Sequence, residues 1–307
     1  MSSTQLPAAD EQKEGARDPQ DRLRDIRALV AAGERVRGSF ATAVYSAATA
    51  ADPAATEDTL AVLPGNGGMH LYRSLIAWAA PVPGERVLDL GCGSGGATRV
   101  AAEIVGVEGE VVGVDPSPEA LDLARERTPE DMPVQYVQAR GENLAALPDR
   151  YFDAAIASLV IDQVADLPRV LSELYRVLRP GGRIGASVWA FDNMQPLNQA
   201  VWGALLAVVA QYAPGALAGR ASRASIPRER DDIAAFRDAE LLTPEEREGQ
   251  LALVMEDIDE AMAFFDRTAM VMMLPDEGRK AFREALERRL PHALYFPVRF
   301  LRSRRPG

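Results

Sequence analysis

A glycine-rich turn after an apolar run is the part of the sequence best suited to hold a ligand. The sequence VLDLGCGSGG at residues 87–96 carries glycines at positions 91, 93 and 95, and a helical segment follows from residue 97. Glycine lets the backbone take positive φ and approach a ligand closely, and the N-terminus of the following helix presents free N–H groups. Gly91, Gly93 and Gly95 are therefore predicted to form a binding loop.

Two carboxylates accompany this loop. Asp89 lies two residues before Gly91, and Asp115 ends the next apolar run, VVGV, 24 positions after Gly91. An acid at the end of the second strand of such a unit accepts hydrogen bonds from ribose hydroxyls. The glycine turn and the two acids together predict an adenosine site.

Two cofactors fit this pattern. Gly91, Gly93 and Gly96 also spell the GxGxxG of NAD enzymes. Asp89 separates the two interpretations, because a carboxylate beside the first glycine suits the amino group of S-adenosylmethionine (SAM), whereas it would repel the pyrophosphate of NAD. The sequence therefore favours SAM.

Two side chains are candidates for a general base. His70 lies just before the main alternation of strands and helices, and Asp162 lies just past the fourth apolar run. A sulfonium such as that of SAM already activates its substituents, so a reaction at it requires mainly alignment and exclusion of water, and it requires a base only when the nucleophile must lose a proton. A structural use of each residue, on a helix face or as a loop acid, is the alternative.

Several other functions are disfavoured. The only cysteine, Cys92, lies in the glycine loop rather than in a Pro-Cys loop, and the two histidines form no metal-ligand spacing, so we predict neither a covalent nucleophile nor a metal site. The net charge of −11 argues against nucleic acid as a partner. The densest basic cluster, Arg302, Arg304 and Arg305, is expected to be a solvated terminus.

The fold class follows from the alternation of apolar runs with helical segments. Apolar runs at residues 87–90, 111–114, 134–137, 154–159 and 184–188 have no polar alternation, which is typical of parallel strands covered on both faces. Two later runs, at 250–255 and 294–301, complete the set. The sequence predicts an α/β protein with a Rossmann-like, seven-stranded, mostly parallel, doubly wound sheet.

The remaining segments predict the domain organisation. Residues 1–20 are expected to be a disordered tail, 21–80 a helical N-terminal extension and 81–307 the main domain. Within it, residues 191–230 interrupt the alternation after the fifth strand, which suits a helical substrate cap, although a helix extending the core is the alternative. Localisation and partners are predicted from the same composition. No apolar run reaches the roughly 18 residues of a membrane span, and the N-terminus is polar, so we expect a cytoplasmic protein without membrane contact. A homo-oligomer that forms through the N-terminal helices is a possible further partner.

Three segments resemble the class I SAM-dependent methyltransferases, above all the small-molecule group that includes ubiquinone and menaquinone methyltransferases. They are VLDLGCGSGG, VVGVDPSPEALDLARER and FDAAIASLVIDQVADLPRVLSELYRVLRPGGRIGASVW, within residues 80–190. The resemblance implies SAM as cofactor, with S-adenosyl-L-homocysteine (SAH) as product. It places the methionine end at the first motif and at the strand end near residue 158, the ribose at the second motif, and adenine at the segment QARGEN. The residues it implies for the cofactor are Asp89, Gly91, Gly93, Gly95, Asp115, Pro116, Gly141, Glu142 and Ser158.

The function expected is methyl transfer to carbon, oxygen or nitrogen of a small-molecule metabolite, for example in natural-product biosynthesis. Two alternatives stay open at this point. One is a SAM-binding cyclase or rearrangement enzyme of the same fold that transfers no methyl group, and the other is a non-catalytic, SAM-binding regulatory protein. The acceptor itself is not encoded in any recognisable motif.

Overall fold

The computed structural model of the 307-residue chain describes residues 18–33, 67–190, 196–217, 235–254, 257–289 and 293–307, together with positions 44, 47, 48 and 51. The predicted tail at residues 1–20 lies almost wholly outside these residues. So do much of the N-terminal extension and parts of the segment 191–230.

A seven-stranded sheet organises the chain. Its spatial order is β3-β2-β1-β4-β5-β7-β6; β1 to β5 pair in parallel, and β7 runs antiparallel to both β5 and β6. This confirms the predicted seven-stranded, mostly parallel α/β fold. The strands are β1 (Arg86–Leu90), β2 (Glu110–Asp115), β3 (Val134–Gln138), β4 (Phe152–Ser158), β5 (Leu178–Trp189), β6 (Glu245–Val254) and β7 (Ala293–Arg304).

Helices connect the strands and cover both faces of the sheet. Of the helices whose bounds the described residues define, two precede β1, three lie in the crossovers between β1 and β5, and four lie after β5. They are α1 (Pro19–Ala31), α2 (Gly67–Ala79), α3 (Gly96–Val105), α4 (Pro118–Arg127), α5 (Leu167–Val177), α6 (Pro196–Tyr212), α7 (Ile258–Phe265), α8 (Ala269–Met272) and α9 (Asp276–Glu287).

The fifth strand begins earlier than the sequence indicates. The apolar run at residues 184–188 predicted a strand from Ile184, but Leu178 already pairs with Phe152 of β4. The register then shifts and regular pairing resumes at Arg183. Gly181, at φ +76°, lies within this irregular stretch, which interrupts the longer strand.

Two apolar cores lie on opposite faces of the sheet. One joins the inner faces of α1, α2, α3, α6 and α9 to strand residues such as Val87 and Ile156. The other joins α5 to the alternate strand residues, such as Leu88 and Ala155. Because successive strand residues point to opposite faces, uninterrupted apolar strands supply both cores.

Helix α6 lies in the segment expected to form a cap, and one of its faces is packed. Val201, Leu205 and Val209 on this helix are buried in the first core, and α6 contacts α9 and β7. The described part of the segment thus contributes to the core. Its role toward a substrate stays a prediction.

The C-terminal arginines correct the expectation of a solvated terminus. Arg305 is buried, and one of its guanidinium nitrogens donates to the carbonyl oxygens of Tyr175 and Leu178, at 2.7 Å each. Arg302 pairs with Glu245 and stacks on the ring of Trp78 at 4.4 Å. The expectation was wrong for Arg302 and Arg305, because the last strand extends to Arg304 and carries the chain end along the fold, whereas the side chain of Arg304 is exposed as expected.

None of the helices in the described part of the chain is long and apolar enough to cross a membrane.

Candidate functional site

The ends of β1, β2 and β4 meet at one edge of the sheet. These three strands are parallel neighbours, so their carboxyl ends, at Leu90, Asp115 and Ser158, lie side by side. Ligands of open α/β sheets bind outside this edge. The site predicted from the sequence is therefore assembled here.

The glycine turn has the backbone conformation that the sequence predicts. Gly91, Gly93 and Gly95 have φ values of +67°, +51° and +79°, a region that other residues rarely adopt. A Cβ on Gly91 would lie 2.5 Å from a methyl carbon of Val160, whereas a Cβ on Gly93 would have open space around it. Glycine is thus required at position 91 because Val160, two residues after the end of β4, approaches it closely. The open space beside the backbone of Gly93 is available to a ligand.

Asp115 joins the turn to the end of β2. One carboxylate oxygen accepts from the N–H of Gly93 at 3.0 Å, and the other accepts from the N–H of Ser117 at 2.9 Å. Burial raises the pKa of Asp115 above its usual value of 3.8, against the opposing effect of these two hydrogen bonds. Additional hydroxyl donors would therefore stabilise the ionised carboxylate.

Asp89 is buried at the end of β1 and is held by the helix that follows the turn. Its carboxylate accepts a hydrogen bond of 2.6 Å from the hydroxyl of Thr98 on α3. A buried carboxylate is stable only with hydrogen-bond or charge partners. Asp89 therefore combines a fixed orientation with a negative charge suited to a cation.

The end of β4 contributes a polar atom and a strained turn. The hydroxyl oxygen of Ser158 is buried without a hydrogen-bond partner in the described structure. Leu159 has φ +55°, and its N–H donates to the carbonyl of Ser187 at 3.0 Å. This left-handed residue turns the chain so that Val160 packs over Gly91.

The segment expected beside adenine lies next to the end of β2. The N–H of Ala139 donates to the carbonyl of Asp115 at 3.2 Å, and the carboxylate of Glu142 accepts from the N–H of Ala165 at 3.1 Å. Gly141 is packed so that a Cβ would lie 3.2 Å from Val170. The carbonyl of Pro116 accepts from the side chain of Gln138 at 3.3 Å. The structure thus gives Glu142 a backbone partner, and its contact with adenine stays a prediction.

The two candidate bases occupy different surroundings. His70 is exposed in the first turn of α2. Asp162 is half-buried in the turn after β4, four positions beyond Ser158. Asp162 therefore follows directly on the edge that carries the other site residues.

Three side-chain contacts near the site were not anticipated from the sequence. Thr98 binds Asp89, Val160 packs over Gly91, and Tyr136 lies against the glycine turn from β3. The signal for Thr98 was a hydroxyl in the helix immediately after the turn. Val160 and Tyr136 carry no local signal, because their contacts depend on strand register.

In the described part of the chain, no group of three or more His, Cys, Asp or Glu side chains could hold a metal ion. The polar atoms at this edge are instead two carboxylates, a hydroxyl and backbone groups. They match the amino, carboxyl and hydroxyl groups of a compound such as SAM, and the residues present therefore fit that cofactor.

Comparison with known proteins supports the same assignment. The family described as "Methyltransferase domain" matches residues 88–186. A 2-phytyl-1,4-naphtoquinone methyltransferase of Synechococcus elongatus is 41% identical over 120 residues, covering 38% of this chain and 52% of that protein. A ubiquinone/menaquinone biosynthesis C-methyltransferase of Vibrio parahaemolyticus is 35% identical over 139 residues, covering 44% and 53% respectively. The chain thus spans about half the length of these curated relatives.

The fold has solved counterparts. The crystal structure of the YcgJ protein from Bacillus subtilis superimposes with a TM-score of 0.54 at 17% identity, covering 78% of this chain and 99% of that chain. At this level of identity the likeness establishes the fold alone. The family match described as "Methyltransferase domain", at residues 88–186, covers the part of this chain built around β1 to β5.

Proposed function

We propose that the protein transfers the methyl group of SAM to a small organic molecule. The observation that carries this proposal is the arrangement of two partly or fully buried carboxylates, Asp89 and Asp115, on either side of a positive-φ glycine turn with open space at Gly93. This arrangement offers separate partners to a cationic amine and to ribose hydroxyls.

The cofactor would be held mainly by backbone and by these two side chains. Asp89 and the turn from Gly91 to Gly95 would bind the methionine end, together with Ser158. Asp115 and Pro116 would bind the ribose, and the backbone at Gly141 would border adenine. Ser158 supports this assignment because its buried hydroxyl has a hydrogen bond still to make.

The N-terminal helices are proposed to border the part of the site where the methyl acceptor binds. Arg22 of α1 lies 3.8 Å from the carboxylate of Glu119, which accepts from the hydroxyl of Ser117 at 2.9 Å, and the N–H of Ser117 binds Asp115. This chain of polar contacts brings α1 to the ribose edge of the site. Arg27 of the same helix donates to the carbonyl of Met272 at 3.1 Å, so α1 also contacts α8, which lies in the helical segment between β6 and β7.

An apolar acceptor is compatible with the side chains beyond the end of β5. Trp189, at that end, stacks edge-on with Phe296 at 5.9 Å, and Phe296 contacts Phe264 at 5.6 Å. The two curated relatives described above are named for 2-phytyl-1,4-naphtoquinone and for ubiquinone/menaquinone biosynthesis, and a further relative is named an arsenite methyltransferase. We therefore place aromatic and quinone-type rings first among acceptor classes, with natural-product metabolites of that type included.

When bound, SAM supplies a sulfonium that already activates its methyl group. The residues of this chain then have to orient the acceptor and exclude water, which is sufficient for large rate enhancement when the reacting atoms are aligned. Asp162 and His70 are the candidates to take a proton where the acceptor atom carries one.

The test is binding followed by transfer. Calorimetry with SAH should give a dissociation constant on the order of micromolar, about −8 kcal/mol, whereas NAD should give no heat. Radiolabelled SAM should then pass its methyl group to at least one member of a panel of quinols, phenols and other small aromatic acceptors. NAD binding without SAH binding would overturn the cofactor assignment. SAH binding with substrate turnover but no label in the product would overturn methyl transfer in favour of a cyclase or rearrangement enzyme.

A further inference from the structure

The glycine turn has an aromatic side chain beneath it that the cofactor contacts do not explain. Tyr136 is in the middle of β3, and in the sheet register Gly113 of β2 and Asp89 of β1 lie beside it on neighbouring strands. Side chains at paired positions of parallel strands point to the same face. Because Gly113 has no side chain, the ring of Tyr136 has space to lean across β2 toward the turn.

The contacts of Tyr136 fill that space closely. A Cβ on Gly113 would lie 2.8 Å from two carbons of the tyrosine ring and 3.0 Å from the sulfur of Cys92. A Cβ on Gly95 would overlap the tyrosine hydroxyl. The tyrosine ring and the sulfur of Cys92 thus share the space over Gly113, the tyrosine hydroxyl lies against Gly95, and glycine is required at 113 by space alone, since no positive φ occurs there.

The hydroxyl of Tyr136 is fixed as well. It lies 2.8 Å from the hydroxyl of Thr128, which itself donates to the carbonyl of Ala124 at 2.7 Å. The proton of Thr128 is therefore used, and Tyr136 must donate to Thr128. On the other side of the turn, Arg99 donates to the carbonyl of Ser94 at 2.9 Å.

We propose that Tyr136 is a positioning residue that holds the glycine turn in its ligand-binding conformation by occupying the space left at Gly113. This inference deepens the proposed function and rests on it for the identity of the ligand. The ring, more than the hydroxyl, performs this role, because the ring carbons fill the space over Gly113 together with the sulfur of Cys92.

Cys92 provides a probe of the turn that does not depend on a ligand. It is the only cysteine in the chain, and it is buried within the turn itself. Burial, and then the carboxylates of Asp89 and Asp115, raise the pKa of the Cys92 thiol well above its usual value of 9.0. Because the thiolate is the reactive form, a thiol reagent should label the intact protein slowly and any variant with an open turn faster.

The experiment combines SAH calorimetry with labelling of the free protein by a disulfide reagent such as DTNB. We expect Tyr136→Ala to weaken SAH about tenfold, or roughly 1.4 kcal/mol, and to speed labelling by a similar factor. Tyr136→Phe should behave as the wild type within about threefold, because the ring remains. Gly113→Ala should weaken SAH about tenfold or more, since its methyl group overlaps the ring.

The double variant Gly113→Ala/Tyr136→Ala decides whether the two positions act together. We expect SAH binding close to that of Tyr136→Ala alone, because the closer clash, with the ring, disappears and leaves only the 3.0 Å approach to the sulfur of Cys92; independent effects would instead multiply to about a hundredfold. Tyr151→Ala is the matched control. Tyr151 binds Glu110 at the opposite end of the sheet, and its loss should change neither SAH affinity nor labelling rate.

Wild-type labelling rates in Tyr136→Ala, or multiplicative losses of affinity in the double variant, would overturn the positioning role. If the wild type fails to bind SAH while the labelling rates follow the expected order, the positioning role stands and the proposed cofactor is wrong. Thermal melts of each variant identify any that fail to fold, and Tyr136→Leu, which keeps an apolar side chain, then replaces Tyr136→Ala in both measurements.

Discussion

Thr98 donates a hydrogen bond of 2.6 Å to Asp89, and both side chains are buried. The bond runs from the first turn of α3 back to the end of β1, across the glycine turn that separates them. It ties the charge expected to meet the cofactor's amine to the helix whose N-terminus borders the same ligand. The orientation of Asp89 is therefore set by a neighbour nine positions later in the chain.

Thr98→Val should lower both stability and SAH affinity. The substitution keeps the shape of the side chain but removes the donor, which leaves a buried carboxylate short of a partner at a cost of about 1 to 3 kcal/mol. Urea unfolding and calorimetry with SAH measure the two effects. Thr98→Ser keeps the hydroxyl and should lose much less in binding; equal losses in the two variants would show that packing, not the hydrogen bond, matters at this position.

Asp115→Ala should weaken SAH by about 1.5 to 3 kcal/mol, the range of hydrogen bonds to a charged group. The loss has two sources, because Asp115 is expected to bind ribose and also holds the N–H of Gly93. Asp122→Asn is the control, since Asp122 is exposed on α4 and pairs only with Arg125 among the described residues. Unchanged affinity in a folded Asp115→Ala variant would place the ribose elsewhere.

SAH affinity should depend on pH through Asp115. Burial raises the pKa of Asp115 in the free protein, and hydroxyl donors from a ligand favour the ionised form. The ligand therefore lowers this pKa, so binding is tightest above the pKa of the free protein and weakens as pH falls through it. Calorimetry from pH 8 downward, at pH values where melts show a folded protein, should reveal this loss, and Asp115→Asn should flatten the profile.

Asp162→Asn should reduce turnover on a protic acceptor by about 10²-fold or more if Asp162 takes the proton. His70→Ala should reduce it less than about threefold, because the exposed His70 lies on a helix rather than at the strand edge. SAH affinity should hold in both variants. A large loss with His70→Ala and none with Asp162→Asn would exchange the roles, and small losses in both would leave alignment as the mechanism.

Leu205→Ala should destabilise the protein by about 2 to 5 kcal/mol. Leu205 is fully buried on α6, in the core shared with α9, so its truncation leaves a cavity there. Gln211→Ala on the exposed face of the same helix should change stability by less than about 0.5 kcal/mol. Denaturant unfolding of the two variants measures the difference. A loss under about 1 kcal/mol for Leu205→Ala would mean that α6 is only loosely packed.

Local patterns in the sequence were sufficient to find the glycine turn and the two acids that are proposed to hold the cofactor. The glycines of the turn and the acids Asp89 and Asp115 were found because a strand, a turn and a helix follow one another within a few residues, and each has its own signature. The uninterrupted apolar runs determined the parallel sheet for the same reason. Strand limits were less accurate: β5 begins at Leu178 because pairing with β4, rather than composition, decides where a strand starts.

Only the tertiary structure decided which residues support that site. Tyr136 reaches the turn because β3 pairs with β2 in the register that sets it beside Gly113, and a shift of one residue would turn its ring to the other face. Val160 meets Gly91 through the left-handed Leu159, and Arg305 is buried because β7 carries the chain end back into the fold. These contacts join residues distant in sequence, and no local pattern records them, because their free energy comes from the neighbours that the folded sheet brings together.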